Sequence, residues 1–339
     1  MIDFFGPDSH LLLNPRMPEE ERARLEKLVP PLPAHVFVAT SGSSGAVKLV
    51  ALSKVAILAS AVAVNEYFAA TSSDVWASVL PAFHVGGLGI FARAQLARGR
   101  VLAMPWDPQL LVRTDTTLVS LVPAQLHDIV RAEVRPQTSM RAALIGGGSL
   151  DPQLHQAARA LGWPVFTSYG MTECCSTVAI DGQLLPHLEG RAEEEGRLAF
   201  RGASMLTGYA TGEGVIDPKD ADGWFTTEDV GAVKGRALRV DGRRGEFLKI
   251  GGESVDLGRL DGVLDSVRGE IDAALVAIPD ERLGHVLHLA VAGEGEGIAR
   301  QFNERVLPFE RVRGVHQVAE IPRSPLGKLL RTRLSEALS

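Results

Sequence analysis

The chain has 339 residues, 22% of them charged, and a net charge of −6 with acidic and basic residues interspersed. That length can bury a large core and divides into more than one domain, while the lack of a Lys/Arg-rich run argues against a nucleic-acid partner. The longest apolar run, Val55 to Val64, is too short to span a bilayer. The first residues lack a basic segment ahead of an apolar one and do not read as a signal peptide. The only cysteines, Cys174 and Cys175, are adjacent. They suggest neither a disulfide framework nor a zinc site, which fits a reducing cytosol. The expectation is a soluble cytoplasmic enzyme.

In chain order, Leu13 to Leu28 reads as a helix, with Pro18 near its start and Glu19 to Glu21 in its first turn. From His35 to about Pro186, apolar runs alternate with longer amphipathic stretches. Strands are expected at His35–Thr40, Val47–Leu52, Val75–Leu80, Val101–Met104, Thr117–Val122, Ala142–Ile145 and Val165–Thr167. Helices are expected at Lys54–Ala70, Leu88–Ala97, Pro123–Ala132 and Pro152–Leu161. This alternation predicts an α/β body with a mostly parallel sheet. From Gly196 to Val240, short strands and glycine turns predict a β-rich subdomain. Asp241-Gly-Arg-Arg-Gly245 marks the internal boundary, dividing 1–241 from 242–339. Beyond it, a helix (Leu257–Val267), two strands (Ala273–Ile278, Val286–Ala292), a helix (Ile298–Val306), a strand (Val315–Ile321) and a terminal helix give a small α+β domain.

The stretch Thr40-Ser-Gly-Ser-Ser-Gly-Ala-Val-Lys48 follows the apolar run His35 to Ala39. Glycine lets backbone approach a ligand closely, and successive N–H groups can ring an anion. A lysine adds a compact point charge. This is the chemistry of a polyphosphate loop, although the Walker A spacing is absent. Taken alone, a Gly/Ser-rich loop is also a plain connector.

Four further motifs accompany it. Ser168-Tyr-Gly-Met-Thr-Glu173 follows the strand ending at Thr167, and Gly223-Trp-Phe-Thr-Thr-Glu-Asp229 comes next. Gly242-Arg-Arg-Gly-Glu-Phe-Leu-Lys-Ile-Gly-Gly252 and Pro322-Arg-Ser-Pro-Leu-Gly-Lys328 follow. Five motifs in this order resemble the adenylate-forming superfamily of acyl-CoA synthetases, luciferases and peptide-synthetase adenylation domains, over roughly residues 35 to 333. Within it, Leu80-Pro-Ala-Phe-His-Val-Gly-Gly-Leu-Gly-Ile90 and Ser120-Leu-Val-Pro-Ala-Gln-Leu126 look most like the o-succinylbenzoate–CoA ligases of menaquinone synthesis.

The resemblance implies two steps, ATP-dependent formation of an acyl-adenylate and then of a coenzyme A thioester. Thr40, Ser41, Gly42, Ser43, Ser44, Gly45 and Lys48 would cradle the β- and γ-phosphates. Gly146, Gly147 and Gly148 would lie along the adenine; they also read as a tight turn with Ser149 or Asp151 as helix N-cap. Tyr169 would stack on adenine beside Gly170, Thr172 would contact the α-phosphate, and Glu173 would bind magnesium. Asp229 would take the ribose hydroxyls, and Arg243 the ribose or α-phosphate. Lys328 would stabilise the charge of adenylation from the C-terminal domain. That domain would act as a mobile lid, hinged near Gly245, with the stretch Lys249 to Gly252 facing the site in the second step. Cys174 and Cys175 read as packing residues.

For the acid, the resemblance places His84 at the acyl pocket, with Gly86, Gly87 and Gly89 leaving room for a flat ring. A second carboxylate wants a cation or hydroxyl partner, and Arg93 and Ser120 are the candidates. Alternatively Arg93 is a surface residue and His84 a core histidine. Members of the superfamily normally carry a longer region before the phosphate loop, whereas 39 residues precede Thr40 here. The expectation is exposed apolar surface buried in a homodimer. Competing functions are a ligase for another aryl or acyl acid, a carrier-loading adenylation enzyme, and a non-catalytic ATP-binding regulator.

Overall fold

The computed structural model describes residues 2–41, 47–148, 150–243, 247–322, 329 and 331–338. The chain divides into two compact units. The first comprises Met1–Asn14, Arg22–Thr40 and Lys48–Gly245, the second Pro15–Glu21, Ser41–Val47 and Glu246–Ser339.

The first unit is built on an eleven-stranded sheet. Five parallel strands run in the order Arg100–Ala103, Val75–Ser78, Leu118–Leu121, Ala142–Ile145 and Val165–Met171. Side chains along them alternate between the two faces. Trp76, Leu118, Ala142 and Leu144 pack beneath the helices Lys54–Tyr67 and Val85–Ala97, through Ala63, Val64, Ile90 and Ala94. Ala77, Val119, Ala143 and Ile145 pack on the opposite face beneath Pro123–Arg131 and Pro152–Ala160, through Leu126, Ile129 and Ala158. Both faces are covered, which is why these strands are near-continuous apolar runs.

At Val165–Met171 the sheet turns antiparallel, continuing through Ser176–Ile180, Gln183–Leu184, Ala237–Arg243, Phe225–Lys234, Arg197–Gly202 and Leu188–Ala192. The β-rich stretch is therefore largely continuous with the parallel sheet. Its strand Gly208–Ala210 instead joins a second, five-stranded sheet, antiparallel to Val47–Ser53.

The N-terminal helix spans Glu19–Glu26, shorter than the expected Leu13 to Leu28. Pro15 and Pro18 lack the N–H groups a helix interior needs, and the strand His10–Leu12 pairs parallel to His35–Ser41.

In the second unit, Ala273–Asp280 and Gly284–Val291 pair antiparallel, and Val312–Gln317 runs parallel to the latter at the sheet edge. Helices Leu257–Arg268 and Glu296–Glu304 cover one face through Leu260, Leu264, Ile298 and Phe302. Helix Arg331–Leu338 covers the other, with Leu334 against Val276 and Ala290. The expected strand Val315–Ile321 pairs earlier, over Val312–Gln317, because Ile321 has left the sheet to join the Leu334 cluster.

Candidate active site

Two candidate stretches of the first unit, Gly146 to Gly148 and Tyr169 to Glu173, lie at the carboxyl ends of parallel strands. In α/β sheets the carboxyl ends of strands form the usual ligand crevice. Ala142–Ile145 runs into Gly146 to Gly148, where Gly147 has φ 79°, a conformation that favours glycine. Asp151 caps the following helix, accepting from the Gln153 and Leu154 N–H groups at 2.8 and 3.0 Å. The alternative cap, Ser149, lies outside the described residues.

Tyr169 and Asp229 meet directly. Tyr169 Oη donates to Asp229 Oδ2 at 2.7 Å, and its ring lies 5.9 Å from that of Phe200. Asp229 is fixed from behind, since its N–H donates to Thr227 Oγ1 at 3.0 Å and that hydroxyl donates to the Leu198 carbonyl. Arg243 stands opposite Asp229 in the strand register. At Gly170 an added Cβ would lie 1.9 Å from the Ser176 carbonyl, so only glycine fits.

Lys48 and Glu173 are linked through a residue that sequence reasoning missed. Lys48 Nζ sits 4.7 Å over the Tyr209 ring, and Tyr209 Oη donates to Glu173 Oε1 at 3.2 Å. Pairing of Tyr209 with Val50 brings it there. The only signal was a Gly-Tyr-Ala strand after a turn, which carries no chemistry by itself. Thr172 and Glu173 lie in a short 3-10 turn, Thr172–Cys174, whose end is held by the Cys175 N–H on the Thr172 carbonyl at 3.0 Å. Cys174 and Cys175 are buried, and burial raises both thiol pKa values. They pack rather than react.

Arg93 is a buried cation. It is 1% exposed, so it is not a surface residue. Its guanidinium donates to the hydroxyls of Thr177 at 3.0 Å and of Ser120 and Ser176 at 3.4 Å each, and lies 5.4 Å over the Trp76 ring. Nε has no partner, and among the described residues no carboxylate pairs with this cation. Burial pulls its pKa down to about 10, leaving it charged at neutral pH. Gly89 makes room for it: a Cβ there would be 3.3 Å from Nη2. Ser176 and Thr177 are polar residues in a fully buried strand, and sequence alone did not mark them.

His84 precedes the helix Val85–Ala97, with its N–H on the Pro81 carbonyl at 3.2 Å and its ring 4.6 Å from Phe83. Gly87 departs from the sequence expectation. Its side-chain space is taken by the Pro81 carbonyl, 2.2 Å from an added Cβ, so this glycine admits the chain's own backbone rather than a ring.

Thr40 is the penultimate residue of the strand His35–Ser41. Gly42, Ser43, Ser44, Gly45, Gly245 and Lys328, and the side chains of Ser41 and Arg243, lie outside the described residues.

The second unit holds a cleft of about 460 Å³ between helix Glu296–Glu304 and the edge strand Val312–Gln317. Arg300, Arg311 and Arg313 border it, with Glu296 and Glu304 on the helix side. All three arginines are exposed.

Residues 11–210 match the family model described as AMP-binding enzyme. The chain belongs to that family. It is 28% identical to the 2-succinylbenzoate–CoA ligase of Bacillus cytotoxicus, over 90% of this chain and 70% of that protein. Among solved structures it resembles a double mutant of the o-succinylbenzoate CoA synthetase of Bacillus subtilis bound with the product analogue OSB-NCoA, with TM-score 0.79 and 25% identity. That match covers 88% of this chain and 68% of that one. The amide bond synthetase of Marinactinospora thermotolerans shares the fold, with TM-score 0.78 and 23% identity over 90% of this chain and 69% of that one.

Proposed function

We propose that the protein is an AMP-forming acid–CoA ligase that activates an aryl acid carrying a second carboxylate, o-succinylbenzoate. The observation carrying the substrate is Arg93, a buried cation held by three hydroxyls and the Trp76 ring, with no carboxylate partner among the described residues. An isolated buried charge is costly, and a carboxylate arriving with the substrate would supply the missing counter-ion. The relatives named for 2-succinylbenzoate agree with this choice.

In the first step the substrate carboxylate attacks the α-phosphate of ATP and releases pyrophosphate. The nucleophile is already ionised, so no general base is required, and catalysis consists of positioning and charge neutralisation. Lys48, with Thr40 to Gly45, holds the terminal phosphates; Tyr169 and Gly146 to Gly148 border the adenine. Asp229 accepts from the ribose hydroxyls, exchanging its bond from Tyr169 Oη for them. Thr172 contacts the α-phosphate. In the second step the coenzyme A thiol attacks the acyl carbonyl and AMP leaves. Lys328 serves the first step, and residues 242–339 act as the lid; both roles rest on the motif resemblance.

Glu173 suits Mg²⁺, a hard cation that takes carboxylate, phosphate and water oxygens. Among the described residues no group of three or more His, Cys, Asp or Glu side chains could hold a metal; Glu173 would hold the ion from the protein side, where it would neutralise phosphate charge. The arginine-bordered cleft suits the 3′-phosphate of coenzyme A, since guanidinium groups pair bidentately with phosphate.

No described helix is long and apolar enough to cross a membrane, and we place the enzyme in the cytoplasm. A homodimer is supported by the outer face of helix Lys54–Tyr67, where Val55 is 76% exposed and Tyr67 42%. A monomer at all micromolar concentrations in sedimentation would remove that part.

The test is exchange of labelled pyrophosphate into ATP across a panel of acids, followed by thioester formation with coenzyme A. Exchange is expected with o-succinylbenzoate and only weakly with benzoate. Exchange without acid preference would remove the substrate assignment, and absence of exchange with every acid would leave an ATP-binding protein.

A further inference from the structure

Asn303, in the last turn of helix Glu296–Glu304, closes the exposed sheet edge at Val312. Its Nδ2 donates to the Val312 carbonyl at 3.1 Å, and its Oδ1 accepts the Val312 N–H at 2.8 Å. One primary amide thus satisfies both backbone groups of one residue, as a neighbouring strand would. Arg311 Nε donates to the Asn303 backbone carbonyl at 3.2 Å. The preceding turn is fixed independently, with Glu310 Oε2 accepting the Leu307 N–H at 2.9 Å. Val312 is therefore pinned between the two cleft arginines that flank it in sequence, Arg311 and Arg313. Its own side chain is buried with Phe302 in the core of the unit.

We propose that Asn303 is a positioning residue for the thiol cosubstrate, holding Arg311 and Arg313 where both can reach the 3′-phosphate of coenzyme A. This rests on the assignment of the arginine cleft to that phosphate. Flexible arginines lose rotamer freedom when they bind, and pre-fixing their backbone removes part of that cost. The amide is uncharged, so its contribution is geometric rather than coulombic. An edge strand without the clamp would expose the Val312 N–H and carbonyl to water and let the two guanidinium groups diverge.

Thioester formation measured with coenzyme A and with dephospho-coenzyme A tests this, since the two differ only in the 3′-phosphate. The wild-type enzyme is expected to show a lower KM for coenzyme A. Asn303→Ala should raise KM for coenzyme A about tenfold, or about 1.4 kcal/mol, and leave KM for dephospho-coenzyme A and the pyrophosphate exchange rate unchanged. A merely structural role would move both thiols together, and an unaltered ratio in Asn303→Ala would overturn the proposal. Should Asn303→Ala fail to fold, Asn303→Ser keeps an acceptor for the Val312 N–H, and the same ratio is read. If Arg311→Ala narrows the ratio and the Asn303 variants do not, only the positioning role falls. If the wild type does not distinguish the two thiols, the cleft assignment falls and this proposal with it.

Discussion

Arg93 donates to Thr177 across 3.0 Å, from a helix on one side of the sheet to a strand 84 residues further along the chain. The bond joins a full positive charge to a neutral hydroxyl in a site closed to solvent. Hydroxyls satisfy N–H donors but do not neutralise charge, so among the described residues the Arg93 cation has no counter-charge.

The first prediction concerns specificity. Arg93→Ala should leave the second carboxylate of o-succinylbenzoate desolvated and unpaired, at a cost of about 2–5 kcal/mol. The kcat/KM for that acid should then fall by roughly thirtyfold to a few thousandfold. Benzoate-like acids without the second carboxylate should change far less. An unchanged kcat/KM for o-succinylbenzoate would remove Arg93 from the substrate site.

The same charge has a consequence for stability. Replacing a buried ion pair with well-packed apolar side chains of similar volume is often neutral or stabilising, by about 1–4 kcal/mol, and Arg93 carries the desolvation cost without a paired carboxylate. Arg93→Met should therefore melt at or above the wild-type temperature while losing turnover of the dicarboxylic acid. Arg93→Ala should melt lower than Arg93→Met, because it also leaves a cavity. A melting temperature for Arg93→Met well below wild type would show that the hydroxyl network outweighs the cost of the charge.

Tyr209 gives a third prediction. Tyr209→Phe keeps the ring beneath Lys48 but removes the hydrogen bond to Glu173, a loss of about 1.5–3 kcal/mol to a charged acceptor. Pyrophosphate exchange should slow by roughly ten- to a hundredfold. Tyr209→Leu should slow it further, because the cation–π contact, about 0.5–2 kcal/mol, is lost as well. Equal rates for wild type and Tyr209→Phe would make the tyrosine a packing residue.

Tyr209 also shows where sequence stops being informative. The parallel strands were legible because each residue alternates between two covered faces, as Leu118 and Val119 do, and the helices because apolar spacing and caps such as Asp151 are local signals. Tyr169, Glu173 and Asp229 stood out as candidates because their motifs are local too, and the structure brings Tyr169 and Asp229 into contact. Tyr209, Ser176 and Thr177 were not, since their roles arise from strand pairing and helix packing over long sequence separations. Gly87 was misread for the same reason: a glycine demanded by a neighbouring carbonyl looks identical in sequence to one that leaves room for a ligand.

Lys328 should separate the two half-reactions. In the lid mechanism implied by the motif, this lysine serves adenylation only. Lys328→Ala should slow acyl-adenylate formation by roughly two to three orders of magnitude, as for loss of one preorganised charge partner. Conversion of supplied acyl-adenylate to thioester should survive. Equal loss of both steps in a folded variant would count against a rotating lid.

The last prediction concerns the amino ends of the parallel strands, opposite the candidate site. Asp74, Thr117 and Arg141 each precede a parallel strand, and together they tie three strand starts. Asp74 accepts from Arg141 Nη1 at 2.6 and 2.7 Å, from the Thr117 hydroxyl at 2.8 Å and from the Thr71 N–H at 2.8 Å. Arg141 Nη2 also donates to the Phe68 carbonyl at 2.6 Å. Burial alone would raise the Asp74 pKa, but the bonds from Arg141, Thr71 and Thr117 outweigh it and hold the carboxyl below its ordinary value. A carboxylate with a depressed folded pKa adds stability above its unfolded pKa, near 4, and that stability is lost as pH falls through the folded value. Wild type should therefore lose stability on acidification below about pH 4, and Asp74→Asn should show a shallower acid limb. At neutral pH, Asp74→Ala should cost about 2–3 kcal/mol, while kcat/KM stays near wild type because the site lies at the other ends of these strands. Parallel acid limbs for wild type and Asp74→Asn would show that this carboxylate does not set the acid stability of the fold.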